Sequence, residues 1–399
     1  MRYLPKCLAA IAIAVAGIGP VGAQDTIRIG AMAPMSGGAF SVVGEDMRRG
    51  FAMAVDEVNG KGGINGKKVE MILGDDQANP TVGVGLAQRL IVRDKVAAIV
   101  GIYSSTVAMA VAQAVAQHKK PLFIVGASAP IVEDAVGKEP WYFHFYPYSY
   151  YIADSVSDFL KSLQPRPSTV AIAYENGVYG TSGVKLLKEA LDNAGFKVVA
   201  EESFKTGSPS VLPLLSRLKA ADPDILVTQA YAADNILIVK QSREMNFAPK
   251  LMMMPEIFSQ EFYPAVGKSG DGVLGYTTWI PESGYPASIR WMEEFKKKFP
   301  ERPDPQDWAP MSYTAMMLVL DAIKAAGTES DALIKSLAAA ETDSPFGKLK
   351  IVPSRNGLHQ LLTKLSIVQY QDGKKVVVYP AGLAGTNKVL YPVPAWKDR

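Results

Sequence analysis

The side chains best suited to work on a small molecule lie at a few short turns. Ser104, Ser105 and Thr106 follow the apolar run Val96-Ala97-Ala98-Ile99-Val100 and open the Ala-rich segment that begins Val107-Ala108-Met109. That is the pattern of a buried strand turning into a helix. Hydroxyls and free N–H groups at such a turn face out from the carboxyl edge of a sheet, at the positive end of a helix dipole, where a small carboxylate can sit. Helix capping by Ser104 or Ser105 also accounts for one of the hydroxyls. Ala127 and Ser128 follow the run Leu122-Phe123-Ile124-Val125 in the same way. Tyr179 lies in the turn Glu175-Asn176-Gly177-Val178-Tyr179-Gly180, and Tyr231 and Glu256 follow two later apolar runs. Taken singly, Ser128 reads as a turn residue, the two tyrosines as packing residues and Glu256 as a carboxylate starting a helix. Together they fall at the carboxyl ends of expected strands, where open α/β sheets bind ligands.

Other chemistries find little support. His118, His144 and His359 are far apart in sequence and lack the spacing of a metal-binding helix. The single cysteine, Cys7, leaves no thiolate after the expected leader is removed, so thiol catalysis and thiolate metal sites are excluded. There is no G-x-S-x-G elbow and no phosphate-binding G-x-x-x-x-G-K-[ST] loop. The first strand is followed by Pro34-Met35-Ser36-Gly37-Gly38 rather than G-x-G-x-x-G, which argues against a dinucleotide. Asp75-Asp76 could hold a hard cation. The simpler reading has them end a strand and cap the helix that starts at Pro80. No metal, no cofactor and no enzymatic activity are therefore expected. The longest basic run, Lys296-Lys297-Lys298, sits on an amphipathic segment as a solvated face and does not suggest nucleic acid.

Two arrays of alternating elements must position these turns. Residues 1–23 read as a cleavable export leader, with Arg2 and Lys6 before an apolar run and Val21-Gly22-Ala23 as the cleavage site. The expectation is an exported protein whose net charge falls from +3 to about +1 on losing those two cations. From Thr26 onward, strands near 26–32, 68–74, 96–100 and 121–125 alternate with helices, the signature of a parallel sheet. The dense aromatic run over 141–151 marks a crossing. A second alternating series then has strands near 169–174, 197–204, 225–229 and 251–254. Helices near 287–299, 310–326 and 330–340 follow, and the chain ends in strands over 361–370 and 375–379. The expected fold is α/β, with two doubly wound parallel-sheet lobes and a cleft between them.

The sequence resembles the class I periplasmic solute-binding proteins of ABC transporters, in particular the leucine/isoleucine/valine-binding group. The likeness is carried by Ile29-Gly30, Met35-Ser36-Gly37, Lys61-Gly62-Gly63-Ile64-Asn65-Gly66, Asp75-Asp76, Ser104-Ser105-Thr106, Ala127-Ser128-Ala129-Pro130, Tyr179-Gly180 and Pro255-Glu256. It implies a three-crossing hinge, with 24–144 plus 277–350 in one lobe and 145–276 plus 351–399 in the other. It also implies a monomeric receptor that closes on a small-molecule ligand and hands it to an ABC permease in the inner membrane. By position, Ser104, Ser105, Ala127 and Ser128 would hold the ligand from the first lobe. Glu256 would pair with a ligand ammonium, and Tyr179 and Tyr231 would form the closing wall. Val43 stands where many members carry an aromatic residue, and Trp308 falls near a position that often lines the side-chain pocket. The implied ligand is a branched-chain or other hydrophobic amino acid, with aromatic carboxylates or small amides as the alternative.

Overall fold

The computed structural model describes residues 26–36, 38–281 and 285–398; the expected leader at 1–23 lies outside them. The short apolar runs form the inner strands because they are buried on both faces. Val100, Phe123, Ile124 and Val125, for example, have no exposed surface. In chain order the strands are β1 (Ile27–Ala33), β2 (Val69–Asp75), β3 (Ile99–Gly101), β4 (Leu122–Val125), β5 (Tyr142–Phe145), β6 (Thr169–Glu175), β7 (Lys197–Phe204), β8 (Ile225–Gln229), β9 (Leu251–Met253) and β10 (Leu274–Thr277). They are followed by β11 (Glu341–Ser344), β12 (Gly347–Pro353), β13 (His359–Leu361), β14 (Ser366–Gln371) and β15 (Lys374–Tyr379).

These strands make two sheets. The first has the order β11-β12-β13-β5-β4-β3-β1-β2 and the second the order β15-β14-β10-β9-β8-β6-β7. The parallel part of each follows the same doubly wound plan, with the first strand of the lobe flanked by its second and third. Each sheet therefore has a topological switch point, between β1 and β3 in one lobe and between β6 and β8 in the other. The edges are antiparallel where β11, β12 and β13 pair in sequence and where β10, β14 and β15 do.

The chain passes between the sheets three times, after β5, after β10 and after β13. The last passage corrects one expected boundary. Residues 351–361 belong to the first lobe, because β12 continues past 350 and β13 pairs in parallel with β5. What reads in sequence as one strand over 361–370 is two short strands in different sheets, separated by Leu362-Thr363-Lys364-Leu365. The apolar pattern runs almost unbroken across that gap, so periodicity has nothing with which to mark it.

Helices cover both faces. The helix Ser41–Gly60 buries Met47, Phe51 and Val55 on one side, the spacing of a single helical face. That face packs on Trp308–Ala326, a helix that returns to the first lobe after the second crossing. One core runs continuously from the first sheet to the inner side of the second, while the outer side of the second lobe has its own core around Leu215, Phe262 and Met254.

Candidate ligand-binding site

The carboxyl ends of both parallel arrays point at each other across a small cavity. It is lined by Tyr103, Ser105, Ala127, Ser128, Tyr146, Tyr179, Tyr231, Pro255, Glu256, Tyr276 and Trp308. Six of the seven residues singled out from sequence meet there. The seventh, Ser104, is buried just behind, with its hydroxyl beside the Tyr231 phenol.

The first-lobe half is built from tight turns. Gly101 ends β3 at φ +139°, and a Cβ there would lie 2.0 Å from the Met32 carbonyl oxygen, so the strand can leave the sheet here only on a glycine. Ile102 follows at φ +69° and turns Tyr103 into the cleft. Ser104 occupies the N-cap position of the helix Ser105–Val115, yet neither serine hydroxyl caps it. Ser105 Oγ instead accepts from Ala129 N–H at 3.4 Å, which ties the serine turn to the neighbouring one and leaves its own O–H to donate. Ala127 stands at φ +46°, its N–H donating to the Tyr103 carbonyl at 2.8 Å, so its carbonyl rather than its N–H is what it offers a ligand. Ser128 is held by Ser149, whose N–H and Oγ–H reach the Ser128 carbonyl at 2.8 and 3.0 Å. Beneath this turn His144 lies 2.6 Å from the Gly126 carbonyl. Burial pushes the His144 ring down to about 4, so it is neutral at physiological pH and donates to that carbonyl.

The second-lobe half repeats the device. Glu175 ends β6 and accepts from Gly177 N–H and Gly180 N–H, each at 2.6 Å, which fixes the turn bearing Tyr179. Tyr179 packs on Tyr231 with ring centres 5.4 Å apart, and its hydroxyl lies 3.4 Å from that of Tyr276. Glu256 starts no helix, contrary to its plainer reading. It sits three residues beyond β9 at φ +58°, a strained backbone for a glutamate, and this aims its carboxyl back across the cleft. Ile102, Ala127 and Glu256 thus place three left-handed non-glycine residues around one cavity.

The two halves touch through Glu256. Its Oε1 accepts from the Tyr103 hydroxyl of the opposite lobe, and the Ala232 N–H also faces the carboxyl. Burial drives the Glu256 carboxyl up to about 8; the Tyr103 hydrogen bond works against the shift and the charge of Asp307 adds to it. Part of the Glu256 surface borders the cavity, while protein surrounds its carboxyl on all sides. The site can therefore hold a carboxylate at the serine turn and present either a neutral acid or, opposite a cation, a carboxylate from Glu256.

Tyr103, Tyr146 and Tyr276 are lining residues that the sequence reading did not assign. Each lies at or just past the end of a strand (β3, β5 and β10), so the strand-end rule that selected Tyr231 points to them too. Asp75 and Asp76 have a different task. Asp75 accepts from the N–H groups of Met35, Ser36 and Gln77 and so ties down the loop after β1. The helix at Pro80 is capped by Asn79, which accepts from Thr81 N–H and Val82 N–H, and not by the aspartates. Among the described residues no three His, Cys, Asp or Glu side chains gather as they would around a metal ion.

The sequence matches the periplasmic binding protein family over residues 26–375. It is 28% identical over 400 residues to Leu/Ile/Val-binding protein homolog 7 of Brucella abortus (strain 2308), spanning 96% of this chain and 98% of that protein. The fold superimposes with a TM-score of 0.79 on the branched-chain amino acid transporter substrate binding protein LivJ of Streptococcus pneumoniae in complex with isoleucine. That pair is 21% identical and covers 89% of this chain and 100% of the other. It superimposes equally, at 0.79, on an ABC transporter solute binding protein of Rhodopseudomonas palustris in complex with p-hydroxybenzoic acid, at 21% identity over 94% of this chain and 99% of the other.

Proposed function

The chain belongs to the periplasmic binding protein family, and from that premise we propose that it is the exported receptor of an ABC importer for a small carboxylate, a hydrophobic amino acid in the first instance. The observation carrying this reading is the pairing across the cleft of an uncapped serine turn with the buried Glu256. Ser105 and Ser128, with Ser104 behind them, receive the ligand carboxylate, helped by the N-terminal end of the helix Ser105–Val115. The Ala127 carbonyl and Glu256 receive the ammonium, and Tyr179 and Tyr231 form the wall that arrives as the lobes close. Closure is a hinge motion at the three crossings, ligand contacts from both lobes favour the closed form, and a membrane permease reads that form. Export to the periplasm by cleavage after residue 23 and action as a monomer belong to the same proposal.

A second ligand class is favoured by the cavity wall: among the described residues no cation faces Glu256, whose Oε1 is already bonded to Tyr103, and aromatic rings dominate the lining. An aromatic carboxylate would leave Glu256 protonated. The relatives carry both chemistries, isoleucine in one structure and p-hydroxybenzoic acid in another. A thermal-shift screen of the mature protein against amino acids, aromatic carboxylates and small amides decides between them. A ligand at 100 times its dissociation constant adds about 2.7 kcal/mol of stability. Stabilisation by Leu, Ile, Val or Phe selects the amino-acid reading, and stabilisation by benzoate-like acids alone selects the second. A flat response to every carboxylate sinks the proposal.

A further inference from the structure

The turn 354–358 joins β12 to β13 in the first lobe and is tied together from within. Ser354 N–H donates to the Leu358 carbonyl at 2.7 Å, Gly357 N–H to the Ser354 carbonyl at 3.0 Å and Leu358 N–H to Ser354 Oγ at 3.2 Å. Its outermost cation reaches the other lobe. The Arg355 guanidinium carbon lies 4.4 and 4.9 Å from the ring centres of Tyr150 and Tyr151, and its Nη2 pairs with Asp154 at 2.5 Å. All three partners stand near the start of the helix Ser149–Ser162. That helix belongs to the second lobe, packing along Val178–Asn193 and setting Phe159 against Tyr379 of β15.

The same turn grips the first crossing. Residues 146–148 belong to no strand or helix, so side chains must fix what no backbone ladder does. Gln360 of β13 donates to the Tyr146 carbonyl at 2.9 Å. Glu133, with almost no exposed surface, accepts from Ser354 Oγ–H and from Asn356 Nδ2–H, and it faces the phenols of Tyr148 and Tyr150. The crossing passes this constraint on to the ligand turn. Tyr148 stacks on His144 with ring centres 4.0 Å apart, and His144 holds the Gly126 carbonyl. Ser149, the next residue, holds the Ser128 carbonyl through both its N–H and its hydroxyl. Direct contacts therefore run from Arg355 to the turn that bears Ala127 and Ser128.

We infer that Arg355 is a positioning residue for ligand capture: the turn 354–358 straps the first crossing and the start of the second-lobe helix to the first lobe, and the strapped crossing keeps Ala127 and Ser128 in their ligand-accepting shape. The inference rests on the receptor reading above and adds to it a residue that touches no ligand. The Arg355 side chain is 48% exposed. An exposed guanidinium over two rings and beside one carboxylate makes weak interactions only. They suffice to change a local opening equilibrium about fivefold and are too small to decide whether the chain folds.

The test reads both ends of that path, because contact alone does not establish coupling. Hydrogen exchange by mass spectrometry on the ligand-free mature protein compares wild type with Arg355→Met and Arg355→Lys. Arg355→Met should exchange about fivefold faster in peptides covering 126–130 and 146–154. Peptides from the helix Leu212–Ala220, in the outer core of the second lobe, should be unchanged. Arg355→Lys keeps a charge opposite Asp154 but not the flat guanidinium over the rings, so it should fall between. Calorimetry with leucine and with benzoate reads the consequence. Whichever binds wild type should bind Arg355→Met about three- to tenfold more weakly, while the urea midpoint hardly moves. Unchanged exchange over 126–130 overturns the inference, and so does unchanged affinity in a variant whose exchange has risen. Faster exchange throughout the chain overturns it too, as a general loss of stability. If neither ligand binds wild type, that failure falls on the receptor reading, and the exchange alone decides the strap.

Discussion

In the proposed receptor, Glu256 is the residue on which ligand chemistry turns. In the free protein its carboxyl is pushed up to about 8 by burial, so at neutral pH it holds a proton and accepts from Tyr103. A ligand ammonium must drive that proton off before the charges can pair. Binding of an amino acid should therefore release a proton, and affinity should rise as pH goes from 6 towards 8, by at most about tenfold per pH unit. A carboxylate without a cation leaves the proton in place and shows no such rise. Titration calorimetry in buffers of different ionisation enthalpy counts the proton directly, and Glu256→Gln should flatten the profile. A flat profile for an amino acid that binds wild type well sinks the ammonium role. The free protein carries the converse signature. Because the folded carboxyl holds its proton more tightly than the ordinary group at 4.5, this residue's contribution to stability is greatest below about pH 4.5 and is lost as pH rises to about 8. That is the opposite of a salt-bridged aspartate.

At the scale of the element, the site depends on how strands end. Gly180 lies in the first turn of the helix Val178–Asn193 that carries Tyr179, and a Cβ on it would lie 1.9 Å from the Glu175 carbonyl oxygen. Gly180→Ala should force the helix start away from the Glu175 turn, at a cost of about 1–3 kcal/mol in stability. It should weaken ligand binding in the same step, because Tyr179 moves with the helix. Urea unfolding and calorimetry read the two effects, and a variant unchanged in both would show that the turn yields without strain. These turns also mark what could be read from sequence. Parallel strands rich in Val and Ile, each followed by Gly, Ser or Ala and then a helix, announce their carboxyl ends, so Ser105, Ser128, Tyr179 and Tyr231 were legible there. The bend at Glu256 was not, because positive φ at a glutamate has no sequence signal and is held only by tertiary packing. The break between β13 and β14 stayed hidden for a related reason: strands of three and six residues that share an apolar pattern differ only in which sheet they join.

At the scale of the whole molecule, the two lobes are also joined by contacts away from the serine turn. The segment joining the helix Pro286–Lys298 to Trp308–Ala326 belongs to the first lobe but clasps the second. Arg302 pairs with Glu261 at 2.9 Å, the Asp304 carboxylate pairs with Lys375, and the Asp304 carbonyl accepts from Gln260. Arg302 is anchored on its own side by Asp46 at 2.9 Å, a carboxyl with no exposed surface that burial raises to about 6. Removing Arg302 would strand Asp46 in the interior and confuse closure with folding. Glu261→Gln is the cleaner probe, because it weakens the cross-lobe pair and leaves Asp46 with its partner. The Glu261 side chain is 40% exposed, so the pair contributes no more than about 1 kcal/mol. If that contribution exists only in the closed form, its loss lowers the closed population and weakens ligand binding about two- to fivefold. Stability towards urea should hardly change. Small-angle scattering should show a larger mean radius for the ligand-free variant and the same radius as wild type at saturating ligand. Equal affinities and equal scattering would mean that the clasp survives in the open form as well. Closure would then depend on the contacts around the cavity, where Tyr103 meets Glu256, Ser104 meets Tyr231, and Thr106 Oγ1 accepts from the Val178 N–H at 3.3 Å.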